Sequence, residues 1–148
     1  MDMKTESVEF AEQQLAKLTM KREVAKMLEE GLSPDQLAHR LGLSMRETRR
    51  WVFATTAVMG PSGQIPVSPA EVVYEAAVGM RSRESMLKDL THRKYTYARD
   101  AEPDNPLSAR TIGTWDDLLV CLSQGLLTED EYVQIQDAVQ DLRKAGWL

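Results

Sequence analysis

The sequence predicts an all-α chain, and three observations carry that expectation. Ser33, Ser44, Ser68, Thr114 and Thr128 are each cap-like residues followed by apolar residues at helical spacing. Gly31, Gly42 and Gly125 stand where those helices should stop. No alternating apolar–polar run long enough for a strand occurs anywhere. The pattern gives about seven helices without an internal repeat. It divides into an N-terminal domain over 1–60, a linker over 61–66 and a helical region over 67–148.

The first element runs from Thr5 to about Leu18, with Val8, Ala11, Leu15 and Leu18 in one narrow stripe. Glu6, Glu9 and Glu12 occupy its other faces, so it either packs on the domain or pairs with a second copy. Thr19 reads as the cap of a support helix, about Met20 to Glu30, whose core face is Met20, Val24, Met27 and Leu28. With the next two helices it makes a three-helix domain over 19–58.

The most informative stretch is Ser33 to Phe53. Ser33 and Gln36 have capping-box spacing, and Pro34 suits the first helical position. Gly42 can end this helix in the left-handed conformation, and Ser44 with Glu47 starts the next. Leu37 and Leu41 share one face, Ala38 is small where a second helix crosses, Leu43 plugs the turn, and Trp51 and Val52 anchor the second helix. The stretch resembles the helix-turn-helix of bacterial repressors, recombinases and sigma factors, through the spacing of Ala38, Gly42 and Trp51. Thr48 stands where that family usually has valine or isoleucine. The resemblance implies a recognition helix over about 45–58 that enters the major groove of double-stranded DNA.

At about 100° per residue, Thr48, Trp51, Val52 and Thr55 share the inward side of that helix, and Arg46 and Arg50 point away from it. Arg46, nearest the N-terminus, is the expected base reader, with a fork that fits guanine O6 and N7 together. Arg50 follows one turn later. Arg49, on the flank, is expected on a phosphate, as are Gln36 and Ser44 at the two helix starts. Met45 lies nearer the first helix, between DNA contact and packing. Phe53 is expected to pack on the second domain, with a thymine methyl as the alternative.

Met59 to Pro66, with two glycines and two prolines, is the linker. Ser68 opens a helix with Val72, Val73, Ala76, Ala77 and Met80 on its face. Arg81 to Arg99 starts with the cap Ser82, has Met86, Leu87 and Leu90 on one side, and ends in His92, Arg93, Lys94, Tyr95, Tyr97 and Arg99. Either Arg93, Lys94 and Arg99 hold phosphates, or this is a solvated face with the tyrosines tucked into the core. A loop over 100–108 follows. Thr114 caps a short helix bearing Trp115, Leu118, Leu119 and Leu122. Thr128 and Glu131 box the last helix, with Tyr132, Ile135, Val139 and Leu142 on one side, and Trp147 packs back.

The layout is also similar, more faintly, to the FlhC-type transcriptional activator family. Gly60-Pro61 and Ile65-Pro66 follow the helix-turn-helix, and a later tryptophan helix runs from Trp115 to Gly125-Leu126-Leu127. The zinc-binding cysteines of that family are absent. This likeness implies a regulator that works with a partner subunit.

No catalytic constellation is visible. His39 and His92 lack metal-ligand spacing to each other or to acids, and no glycine-rich phosphate loop exists. Cys121, the only cysteine, lies among Leu118, Leu119 and Leu122 as a small hydrophobe. Asp116 and Asp117 suit the first turn of a helix. No enzyme, cofactor or metal is expected. No apolar run approaches a membrane span, and Met-Asp-Met-Lys-Thr-Glu-Ser is not followed by a signal-peptide core, so the expected location is the cytoplasm.

The net charge of −5 argues against nucleic acid only until it is split. Residues 1–60 hold nine basic and nine acidic side chains, 81–99 hold six and two, and 100–148 hold three and ten. The expected function is a sequence-specific transcription regulator on double-stranded DNA, acting as a homo-oligomer, in the simplest case a dimer, or with a partner regulator subunit. Self-association is expected through the C-terminal half, where the last helix shows an apolar stripe. A phage-type terminase small subunit or recombination accessory, and a helix-turn-helix adaptor for proteins, are the alternatives.

Overall fold

The structure, a computed structural model, describes residues 3–97, 104 and 113–146. Arg99, Trp147 and most of the expected 100–108 loop lie outside the described residues. The fold is all-α: α1 Met3–Glu29, α2 Pro34–Leu41, α3 Met45–Thr56, α4 Pro69–Ala77, α5 Arg83–Thr91, α6 Asp116–Ser123 and α7 Glu129–Lys144, with no strand among the described residues.

The N-terminal residues form one helix where the sequence suggests two. No glycine or proline interrupts Thr5 to Glu29, and Thr19 does not cap. Its hydroxyl instead donates back to the Leu15 carbonyl at 3.0 Å, the local bond of a mid-helix threonine. α1 stops where expected, at a left-handed Gly31.

Two compact units form: Gln13–Val67, and the chain up to Glu12 together with that from Ser68 onward. In the first, Val24, Ala25, Met27, Leu37 and Ile65 are buried. The Gly60 N–H donates to the Gln64 carbonyl at 2.8 Å, closing the Gly-Pro loop that sequence marks as a linker.

The second unit gathers Ala11, Val72, Val73, Met86, Leu90, Leu118, Cys121, Leu127, Ile135 and Val139 into its core. The early residues, placed by sequence in the 1–60 domain, belong here. Ala11 is fully buried, Phe10 meets the Tyr74 ring edge-on at 6.1 Å, and the Ser7 hydroxyl donates to the Gln124 carbonyl at 3.0 Å. The stripe of α7 is no free face, because Ile135 and Val139 are enclosed in this core with residues of α5 and α6.

Several helix edges fall short of their expected positions. α3 ends at Thr56 rather than Val58, and α4 ends at Ala77, which leaves Met80 beyond the left-handed Gly79 and 69% exposed. Leu119, about 100° around α6 from the buried Leu118, faces out. Thr114 does not cap α6, whose N-cap position is Trp115 without a side-chain bond. Thr114 and Thr96 instead clasp each other: each hydroxyl accepts the other's backbone N–H at 2.9 Å.

Candidate nucleic-acid interface

The helix pair is built from its caps. Ser33 Oγ accepts the Gln36 N–H at 3.3 Å, and Gln36 Oε1 accepts the Ser33 N–H at 2.9 Å, a complete capping box. Ser44 Oγ accepts the Glu47 N–H at 3.1 Å and starts α3. Between them, Gly42 has φ of 67°. Its N–H donates to the His39 carbonyl at 3.3 Å, and the Leu43 N–H donates to the Ala38 carbonyl at 3.1 Å, which closes α2 and aims the chain into α3. A Cβ at Gly42 would meet nothing within 4 Å, so backbone conformation alone selects glycine there.

The inner side of α3 is carried by threonine. Thr48 and Thr55 are fully buried, whereas Trp51 and Val52, the expected anchors, are half-buried. Thr48 Oγ1 donates to the Ser44 carbonyl at 2.8 Å, which is how its hydroxyl is accommodated in a fully buried position.

The outer side collects Arg46, Arg49 and Arg50, all exposed, and with Phe53 they line one open concavity. None of the three arginines forms an ion pair with a described carboxylate. Gln36 and Ser44 are exposed, and Met45 is half-buried, as its position toward α2 suggests. Gln36 spends its amide oxygen on the cap, so its amide nitrogen is the group left for a phosphate. Ser44 likewise accepts within the fold and retains a hydroxyl proton to donate. Phe53 departs from its expected covered position and is 78% exposed. It lies seven residues after Arg46, about 20° from that side chain's direction around the helix, so it joins the arginine stripe.

Charge divides with the units. Gln13–Val67 holds eight basic and five acidic side chains, net +3, and the remainder holds ten and eighteen, net −8. A tally over 1–60 hides this, because residues 1–12 contribute four acids against one lysine.

The second basic stretch has a different character. α5 covers only Arg83–Thr91, so His92 to Tyr97 lie past its end. Arg81 pairs with Glu75 at 3.7 Å and Asp89 at 3.6 Å, Arg93 Nε donates to Asp89 Oδ1 at 2.8 Å, and Arg83 grips Glu131. Lys94 is exposed. Tyr95 is buried, its hydroxyl donates to the Leu90 carbonyl at 2.6 Å, and its ring meets Trp115 edge-on at 4.9 Å. Burial pushes its phenol well above the usual range. Tyr97 lies 6.0 Å from Trp115, under the Arg143 guanidinium at 4.9 Å. Arg81, Arg83 and Arg93 are each matched by a carboxylate, in part by Asp89 of the stretch itself, and Tyr95 serves packing, which favours the solvated-face reading.

Cys121 is fully buried, and burial, with the Asp117 charge second, pushes its thiol up to about 12. Asp117, expected only to favour its own helix start, reaches another one: its Oδ2 accepts the Ala70 N–H at 3.3 Å, in the first turn of α4. Sequence spacing carries no signal for a contact across 47 positions. No group of three or more His, Cys, Asp or Glu side chains is placed to hold a metal among the described residues. No protein family, curated protein or solved structure matches the chain.

Proposed function

We propose that the chain is a sequence-specific double-stranded DNA-binding transcription regulator whose reading head is α2, the Gly42 turn and α3. The observation that carries this is the row of three arginines on the outer face of α3, none in an ion pair with a described carboxylate, beside the exposed starts of both helices. Three guanidiniums within about one turn repel one another, and an anionic partner relieves that cost. Helix starts present N–H groups and positive dipole ends to phosphate. Arg46 reads a base, Arg50 reads or supports one turn later, and Arg49, Gln36 and Ser44 hold the backbone. The unit of net −8 has the charge of a part that faces protein, either a second copy or a partner subunit, rather than phosphate. No helix among the described residues is long and apolar enough to cross a membrane.

The test is light scattering and fluorescence anisotropy of the full chain with random duplex DNA over a salt series, followed by site selection. A salt-dependent affinity, with a selected site bound more tightly, supports the proposal. A large ring on DNA favours a packaging accessory, and no binding at low salt rejects a role on duplex DNA.

A further inference from the structure

Phe53 is the most exposed large apolar side chain among the described residues, at 78%. It is also the apolar member of a concavity whose other lining residues are Arg46, Arg49 and Arg50. A benzyl group in water beside three cations needs an occupant that is apolar at one point and anionic around it. An aliphatic protein surface supplies the first without the second, and a bare acidic peptide supplies the second without the first. The floor of a major groove at a thymine supplies both: a C5-methyl group between two rows of phosphates.

Resting on the DNA-binding reading above, we propose that Phe53 is a specificity-determining residue that selects thymine through its C5-methyl group. The geometry also sets where that thymine lies. Seven residues at 1.5 Å each put Phe53 about 10 Å along α3 from Arg46, on nearly the same side. At 3.4 Å per base pair this is about three steps along the groove. The preferred half-site therefore has a guanine contacted by Arg46 and, about three base pairs away, a thymine contacted by Phe53. Substitution at Phe53 leaves the fold intact, because the side chain is exposed and alanine favours helix.

The experiment uses the full chain and a duplex from site selection, with each thymine replaced in turn by uracil, which pairs identically but lacks the methyl. The wild type loses roughly fourfold in affinity at one thymine, the change expected for about one buried methyl group. Phe53→Ala binds the thymine and uracil forms alike, whereas Phe53→Leu retains the preference. If the wild type binds its selected site but tolerates uracil everywhere, or Phe53→Ala keeps the preference, the methyl contact is wrong and DNA binding stands. If no duplex is bound, both fall. An acidic peptide with a central leucine displacing DNA from the wild type but not from Phe53→Ala would assign the side chain to a protein partner and overturn the proposal.

Discussion

Arg83 and Glu131 form a fork-on-fork pair between the first residue of α5 and the capping box of α7. Arg83 Nε donates to Glu131 Oε2 at 2.9 Å, and Nη2 donates to Glu131 Oε1 and, at 3.0 Å, to the Leu126 carbonyl. Glu131 Oε1 also accepts the Thr128 N–H at 3.0 Å. A cation at a helix start is disfavoured by the helix dipole, and Glu131 offsets that at Arg83. Burial alone would raise the Glu131 carboxyl, but the Arg83 and Thr128 contacts outweigh it and hold the group below the ordinary carboxylate range.

That depression fixes the pH behaviour. The stabilisation is fully present above the unfolded-state value of about 4.3 and is lost as pH falls through the lower folded value. Glu131→Gln preserves the capping function but loses the charge, and should cost about 1 kcal/mol at neutral pH, a value reduced by the partial exposure of Arg83. Glu131→Ala loses both and should cost about 2 kcal/mol. Urea denaturation should show the wild-type advantage over Glu131→Gln flat above about pH 5 and shrinking below about pH 4. An advantage that grows on acidification would contradict the assignment.

Arg46→Ala should weaken selected-site binding by about 1–3 kcal/mol and relax preference at one base pair, while changing random-duplex affinity little. Arg49→Ala should weaken both alike and lower the salt slope by about 0.9. Replacing Arg93 and Lys94 together should leave that slope unchanged, given the Asp89 partner of Arg93 and the packing role of the adjacent Tyr95. Anisotropy titrations over a salt series measure all three, and equal losses on both DNAs for Arg46→Ala would show that another residue reads the base.

Thr55 is fully buried, and its hydroxyl has no hydrogen-bond partner among the described residues. Valine has the same shape without the hydroxyl, so Thr55→Val should stabilise by about 1 kcal/mol. Thr48 is equally buried but donates to Ser44, so Thr48→Val should gain nothing. Thermal unfolding of the two variants should separate them by a few degrees, Thr55→Val higher. The reverse order would mean that the Thr55 hydroxyl has a partner in solution.

Cys121 should resist thiol reagents in the native protein, because it is fully buried and its thiol is raised to about 12. Labelling should track opening of the second unit and accelerate when residues 1–12 are removed, since Ala11 then leaves that core. Fast labelling of the intact chain would show that the core is open there.

Legibility from sequence followed the range of the interaction. The caps at Ser33, Ser44, Ser68 and Thr128 and the Gly42 turn were readable because each is decided within a few residues. So was the outward direction of Arg46 and Arg50, which needs only the helical period. Thr19 misled because a threonine that bonds back to Leu15 has the same composition as one that caps. The Asp117 contact to Ala70 and the Arg83 pair with Glu131 span 47 and 48 positions, beyond the reach of local spacing. The helical period also puts Phe53 near the outward face, but no local signal decides whether a neighbour covers it, and the expected cover is not there: Phe53 is 78% exposed.

The second unit is discontinuous, assembled from the chain up to Glu12 and that beyond Val67, whereas Gln13–Val67 is one uninterrupted piece. The ribosome therefore releases every residue of the arginine-bearing unit before α7 exists. Phe10 and Ala11, translated first, wait for partners translated last. A nascent chain truncated after Val67 should protect α2 and α3 from protease while remaining open to cleavage near Phe10, whereas one that includes α7 should protect both.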